Sequence, residues 1–258
     1  MNKYLIVAAA LAVSACDSSP ISGPIFPTQP PVPNESPTGL WVGTDSNGME
    51  WALLVAETHE FRLVDEFLNQ GSDVLVVAFG DEVFNGNDFQ LVTPFGSTFS
   101  DGTTSADCAL SGTVAEGQSM SLNVDCTTTA ELQISSKVAL VYDVLYERNS
   151  LLNTIAGSFD DGSGSVLDIA ADGTIFKQDA VTLCTTNGQV TIIDSAFNVY
   201  NVQYDISGCV GDDSIFNGST FAGLGTLDDT SVPEQLIIAT TGDVAGRMVS
   251  VVDIADRL

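Results

Sequence analysis

A thiol nucleophile, a thiolate ligand or an imidazole base in this chain has to come from five cysteines and one histidine. His59 stands in Glu57-Thr58-His59-Glu60 between two apolar runs, the pattern of a turn between strands rather than of a general base. A histidine-dependent serine triad would have to pass through it, and no G-x-S-x-G elbow accompanies it. A glycine-rich phosphate loop with lysine is also absent from the sequence. Carboxylates are abundant, 34 Asp+Glu against 7 Lys+Arg, so an acid pair for glycoside-type hydrolysis can be drawn from many positions and is singled out at none. No catalytic residue is assigned.

The same carboxylates raise the question of a hard cation. Asp45-Ser46-Asn47-Gly48 and Asp160-Asp161-Gly162-Ser163-Gly164 offer oxygen ligands, but neither continues with EF-hand spacing and a distal Glu. Turn preference and surface solvation account for them, so no cofactor is expected, with structural calcium as the alternative. Trp41 and Trp51 could stack on a sugar, yet both stand in apolar strand contexts and are expected in the core. A formal charge of -27 excludes a nucleic-acid reader, which needs a cationic footprint, and argues against electrostatic docking on an anionic membrane.

One cysteine has its own setting. Met1-Asn2-Lys3 is a short cationic start, an apolar run follows from Tyr4 to Ala12, and the run ends in Val13-Ser14-Ala15-Cys16. The run is too short to span a bilayer as a helix, and the small residues suit a processing enzyme's narrow cleft. The pattern resembles the lipobox of bacterial lipoproteins. That resemblance implies cleavage of a signal peptide, residues 1–15, followed by diacylglycerol on the Cys16 sulfur and an acyl group on its new amino terminus. Three chains would hold the protein on a membrane almost permanently, where a single one anchors weakly. Asp17 resembles the inner-membrane retention signal of enteric bacteria, a rule that does not hold in all Gram-negative groups. The expected location is the cell envelope, in the periplasm or at the surface, with the choice of membrane open.

Behind the anchor, residues 16–38 hold seven of the nine prolines. Such a run favours polyproline II, and 22 residues at ~3.1 Å each span roughly 70 Å when extended. It reads as a tether. From Gly39 onward the period is two. Met120, Leu122 and Val124 alternate with polar neighbours, as do Tyr200, Val202, Tyr204 and Ile206, and Val138, Leu140, Tyr142, Val144 and Tyr146. This is the pattern of half-buried antiparallel strands, and it predicts an all-β fold. Asn47-Gly48, Asn85-Gly86, Asp101-Gly102, Asp172-Gly173 and Asn187-Gly188 can each supply a tight hairpin turn. Tyr146–Ile155 is the best helical candidate.

The strands divide into two units, 39–148 and 149–258, each of a size common for a small barrel or sandwich. Gly39-Leu40-Trp41 heads the first and Gly157-Ser158-Phe159 the second, and Val55 to Phe61 corresponds to Ile169 to Ile175. Gly39-Leu40-Trp41 also resembles the G-x-W start of lipocalin-type barrels, with Arg148 as the counterpart of the arginine that covers such a Trp. With Cys16 lipidated, four cysteines remain and allow three pairings. One bridge per unit is simplest: Cys108–Cys126 and Cys184–Cys209, each worth ~3 kcal/mol on the chain-entropy model. Zinc is disfavoured, since no C-x-x-C pair or nearby histidine exists. Together these features predict a non-enzymatic, lipid-anchored binding or scaffolding module of the envelope. Its partners would be the membrane, through the anchor, and another envelope protein or polymer. The alternatives are an envelope-polymer hydrolase using loop carboxylates and a carrier of small apolar ligands in a hollow barrel.

Overall fold

Among the described residues, period-two patterning becomes seventeen strands, all in antiparallel ladders. The computed structural model describes residues 36–66, 76–80, 88–90, 95–99, 105–128, 131, 133–162 and 164–258. Cys16, the signal segment, most of the Pro-rich segment, Asn85-Gly86 and Asp101-Gly102 lie outside the described residues. No helix among the described residues is long and apolar enough to cross a membrane.

The first unit comprises β1 (Gly39–Asp45), β2 (Glu50–Val55), β3 (Phe61–Glu66), β4 (Val76–Gly80), β5 (Asp88–Gln90), β6 (Phe95–Phe99), β7 (Ser105–Ala115), β8 (Ser119–Thr128) and β9 (Gln133–Asp143). These form a nine-stranded sheet in the order β5-β7-β6-β4-β3-β2-β1-β9-β8. A further β7–β8 ladder curls the sheet back on itself, so that the pairings run in a circuit with β5 as an extra strand on β7. Its core gathers Trp41, Trp51, Leu53, Phe61, Leu122 and Leu140 among others, all alternating inward. Cys108 and Cys126 face each other across β7 and β8 and form a disulfide.

The second unit is a closed eight-stranded barrel. Its strands are β10 (Gly157–Asp160), β11 (Val166–Ile169), β12 (Thr174–Gln178), β13 (Thr185–Ile192), β14 (Tyr200–Ser207), β15 (Ser219–Asp228), β16 (Gln235–Val244) and β17 (Arg247–Arg257). Closure leaves no strand edge exposed to pairing with another chain. Phe159, Ile175, Tyr200, Val202 and Phe221 fill the interior. Cys184 precedes β13 and Cys209 follows β14, and their disulfide ties the ends of that paired hairpin.

The two units share a register as well as an order. Gly39 pairs with Val55 and Val55 with Phe61; Gly157 pairs with Ile169 and Ile169 with Ile175. The connecting turns carry the same two backbone bonds. Ala56 N–H donates to Glu60 O at 2.9 Å and His59 N–H to Ala56 O at 2.8 Å, while Ala170 donates to Thr174 O and Gly173 to Ala170 O, both at 2.9 Å. His59 and Gly173 therefore hold the same position, and both have positive φ, 68° and 85°.

Three sequence expectations change. Asn187-Gly188 is not a turn but lies inside β13, because a Cβ at Gly188 would stand 2.5 Å from the Tyr204 Cβ, so glycine is needed for close strand approach. The turn there is made by Asp179, whose carboxylate accepts from the N–H groups of Val181 and Thr182. Tyr146–Ile155 is not one helix. It splits into a 3-10 turn, Val144–Glu147, and a single turn α1 (Leu152–Ile155), separated by extended residues. Arg148 does not cover Trp41; it pairs with Asp229. Trp41 instead meets Tyr142 edge-on at 5.2 Å, and its indole N–H donates to Pro37 O at 2.8 Å. An arginine over an aromatic ring does occur in the second unit, where the Arg257 guanidinium sits 4.7 Å from the Phe159 ring centre.

The connection between the units is packed. The outer faces of β1 and β2 contribute Leu40 and Leu54 to a cluster with Leu145, Tyr146, Val199 and Leu224. Aromatic rings run through it, from Tyr142 to Tyr146 at 6.4 Å and from Tyr146 to Phe197 at 5.0 Å, the last pair stacked. Asn198 is buried and fully used: its amide donates to Leu145 O and Leu227 O and accepts from Leu227 N–H. Arg62 bridges as well, donating to Ala222 O at 3.2 Å while pairing with Glu60 at 2.6 Å. Burial, then the Glu57 carboxylate that accepts its hydroxyl, push the Tyr146 phenol far above its ordinary range. Burial, then nearby carboxylates led by Glu147, lift Tyr142 to about 12.

Candidate binding site at one end of the second barrel

Residues of inward parity should be apolar in a small barrel, and two positions of the second unit break that rule. On β12 the inward series is Ile175 then Lys177, with Phe176 outside; on β17 it is Val249, Val251, Asp253, Ala255. Pairing of Lys177 with Leu167 on one side and Thr186 on the other sets it at one level of the barrel. Asp161, just past the end of β10, forms an ion pair with Lys177. Asp253 enters from β17, opposite Ile238.

These groups line a cavity of about 130 Å³. Leu167, Ile175, Ile238 and Val251 make its apolar wall, and the Tyr204 ring forms part of it. Tyr204 stacks on Phe221 with ring centres 5.4 Å apart and shares a 2.8 Å hydrogen bond with the Thr240 hydroxyl, so its ring is fixed. Burial pushes the Tyr204 phenol well up, and the Asp253 charge adds to this. The Asp253 carboxyl is raised by burial; Lys177 draws it down and Asp161 drives it up.

A second hollow, about 250 Å³, shares Lys177, Thr186, Ile206 and Val251 with the first and leads outward. Its rim carries Asp179, Asp213 and Phe216, the last two from a 3-10 segment, Gly211–Phe216. The Cys184–Cys209 disulfide and two hydrogen bonds between the Asn217 amide and the Cys209 backbone hold that rim. Hydrogen bonds from Thr182, Val181 and Ser165 lower the Asp179 carboxyl to about 2. Val181, Leu183, Val210 and Ile215 stand exposed on the same loops.

Of the residues singled out from sequence, Asp161 lines the cavity and Cys184 the outer hollow, while the others fall elsewhere. His59 is at the β2–β3 turn. Trp41 and Trp51 are 0% and 5% exposed, in the core of the first unit. Asp45 closes the β1–β2 turn by accepting from Asn47 and Met49 N–H, and Asp160 accepts from Gly162 N–H. Asp194, Asp228 and Asp243 cap turns the same way. Among the described residues no three His, Cys, Asp or Glu side chains converge as metal ligands. Another hollow, about 190 Å³, lies between the units and is floored by Leu54, Leu145 and Leu224, with Arg62 held as described above. No protein-family model, no curated protein and no solved structure matches this chain.

Sequence reasoning passed over Lys177 and Asp253. Their signal was available: each is a charged residue on the apolar parity of its own strand.

Proposed function

We propose that the chain is a lipid-anchored protein of a bacterial cell envelope and that its β pair is a non-enzymatic binding module, with the open end of the second barrel as its site. The observation that carries the binding role is the cavity itself. It is apolar, holds a few polar groups on rigid strands, and opens through a rim pinned by a disulfide. Two intramolecular disulfides suit an oxidising, exported setting, which supports the reading of Val13-Ser14-Ala15-Cys16 as a lipidation signal. A volume of about 130 Å³ favours a ligand, or a protruding group, of a few heavy atoms over a lipid-sized cargo.

Two measurements test this. Cys16→Ser should remove the chain from the detergent phase in phase partitioning, and continued entry with unchanged mass refutes the anchor. Ile206→Trp, placed where the two hollows meet, should cut retention of envelope material on the immobilised chain at least tenfold. Unchanged retention by a folded Ile206→Trp chain refutes the site.

A further inference from the structure

The polar groups of the barrel cavity do not balance. Asp161 and Lys177 form an ion pair, which leaves the Asp253 carboxylate without a hydrogen-bond or ion-pair partner among the described residues. It lines a hollow whose other polar members are that ion pair, Thr186 and Tyr204, and it feels Lys177 only at a distance. Its side chain is half-buried, so a partner of opposite charge would replace solvation that the fold has taken from it. Water in the hollow can solvate Asp253 but leaves the wall of Leu167, Ile175, Ile238 and Val251 wet, whereas a ligand can bring both a charge for Asp253 and an apolar body for the wall.

The sign and shape of that ligand follow from the lining. With Asp161, Lys177 and Asp253 the hollow carries one surplus negative charge, and the outer rim adds Asp179 and Asp213. Lys177 lines both hollows but is already paired with Asp161, so the net charge of lining and rim repels an anion and draws in a cation. The Tyr204 ring lies close enough to Asp253 for the carboxylate charge to act on its phenol, and stacking on Phe221 keeps its orientation. A carboxylate beside a fixed aromatic ring is the pairing that recognises an ammonium group, by charge-assisted hydrogen bonds on one side and cation–π attraction on the other. The wall of Leu167, Ile175, Ile238 and Val251 then takes an alkyl chain. A cavity of about 130 Å³ is close to the roughly 150 Å³ apolar cavity that accommodates benzene, which limits the buried part to about six heavy atoms.

We propose that the second barrel binds a small alkylammonium cation, with Asp253 as its anchor, the Tyr204 ring beside the ammonium and the aliphatic wall around the chain. This deepens the binding-module reading and rests on it.

The test uses the full chain in a non-ionic detergent with n-butylammonium as the probe, and 1-butanol and butanoate as neutral and anionic matches of the same length. Calorimetry should give a dissociation constant on the order of 0.1 to 1 mM for the ammonium, with the other two at least tenfold weaker. Asp253→Asn should weaken the ammonium at least tenfold while leaving the melting transition cooperative; Asp212→Asn, outside the cavity, should leave it unchanged. Methyl resonances of Ile175, Ile238 and Val251 in the unaltered chain should shift saturably with the ammonium, a readout that needs no variant to fold. Equal affinity for ammonium and alcohol, full binding by Asp253→Asn, or interior methyls that stay still would each overturn the proposal. Loss of envelope retention in Ile206→Trp would survive such a failure, so the two readings fall separately.

Discussion

The two units share a strand order and a register, and they differ where the second carries charged side chains inside. Trp41 pairs with Tyr142 as Phe159 pairs with Arg257, so the first and last strands of each unit can be laid over one another. Counting two residues on from Phe61 and Ile175 sets Leu63 against Lys177. Counting four back from Tyr142 and Arg257 sets Val138 against Asp253, and two on from Trp41 and Phe159 sets Gly43 against Asp161. All three charged members of the second cavity thus replace a glycine or an aliphatic residue of the first. Leu63 and Val138 are buried in the first core at 0% and 2% exposure. The first unit shows what the scaffold does when it is only packed, and the second what it gives up to hold charges inside.

The largest effect should come from the pair that heads each unit. Trp41→Ala and Phe159→Ala each remove a fully buried ring and should cost about 4 kcal/mol in denaturant unfolding. Because Tyr142, Tyr146 and Phe197 link the two cores, both variants should still unfold in one transition. Two separate transitions would mean that the units are energetically independent.

A smaller effect separates the two matching turns. Gly173 and His59 share a left-handed conformation, but a Cβ at Gly173 would stand 2.3 Å from Val190 O, whereas His59 already carries its Cβ. Gly173→Ala should therefore cost about 2 kcal/mol or more, whereas His59→Gly should change stability by less than about 1 kcal/mol. Similar costs at both sites would remove the distinction between a turn that is merely strained and one that is also crowded.

The smallest expected change undoes the chemistry. Asp161→Gly, Lys177→Leu and Asp253→Val together give the second unit the first unit's residues. Replacing buried charges by apolar groups should be neutral or stabilising by about 1 to 3 kcal/mol at pH 7. The Asp253 carboxyl is raised in the fold, so its contribution is fully present below the ordinary carboxylate range and is lost as pH rises through the raised value. The advantage of the triple variant should accordingly be larger at pH 7 than at pH 4. An advantage independent of pH would show that Asp253 does not titrate in this range.

What sequence could reveal follows the same division. Alternation in Met120–Val124 and Tyr200–Ile206 exposed strands and their inward faces, and the matching starts at Gly39 and Gly157 exposed the repeat, because each depends only on local parity. Asn187-Gly188 misled for a tertiary reason: the glycine answers to Tyr204 on a neighbouring strand, not to a turn. The cavity was hidden for a related reason. The hairpins β10–β11 and β11–β12 bring Asp161 and Lys177 together, but only closure of the barrel by β17 brings Asp253 to their level. The lone charge on an apolar parity at Lys177, and again at Asp253, is the trace that closure leaves in the sequence.

The hydrogen bond from the Trp41 indole to Pro37 O also has a mechanical meaning. A load entering through Ser36 meets the bond from Ser36 N–H to Glu116 Oε2 and then this clasp, at the head of β1. β1 is flanked by six residue pairs with β2 and six with β9. A pull directed along the strand would strain both ladders in parallel, as shear, instead of opening them one bond at a time. The first unit would thus take such a load before the second, whose strands come later in the chain.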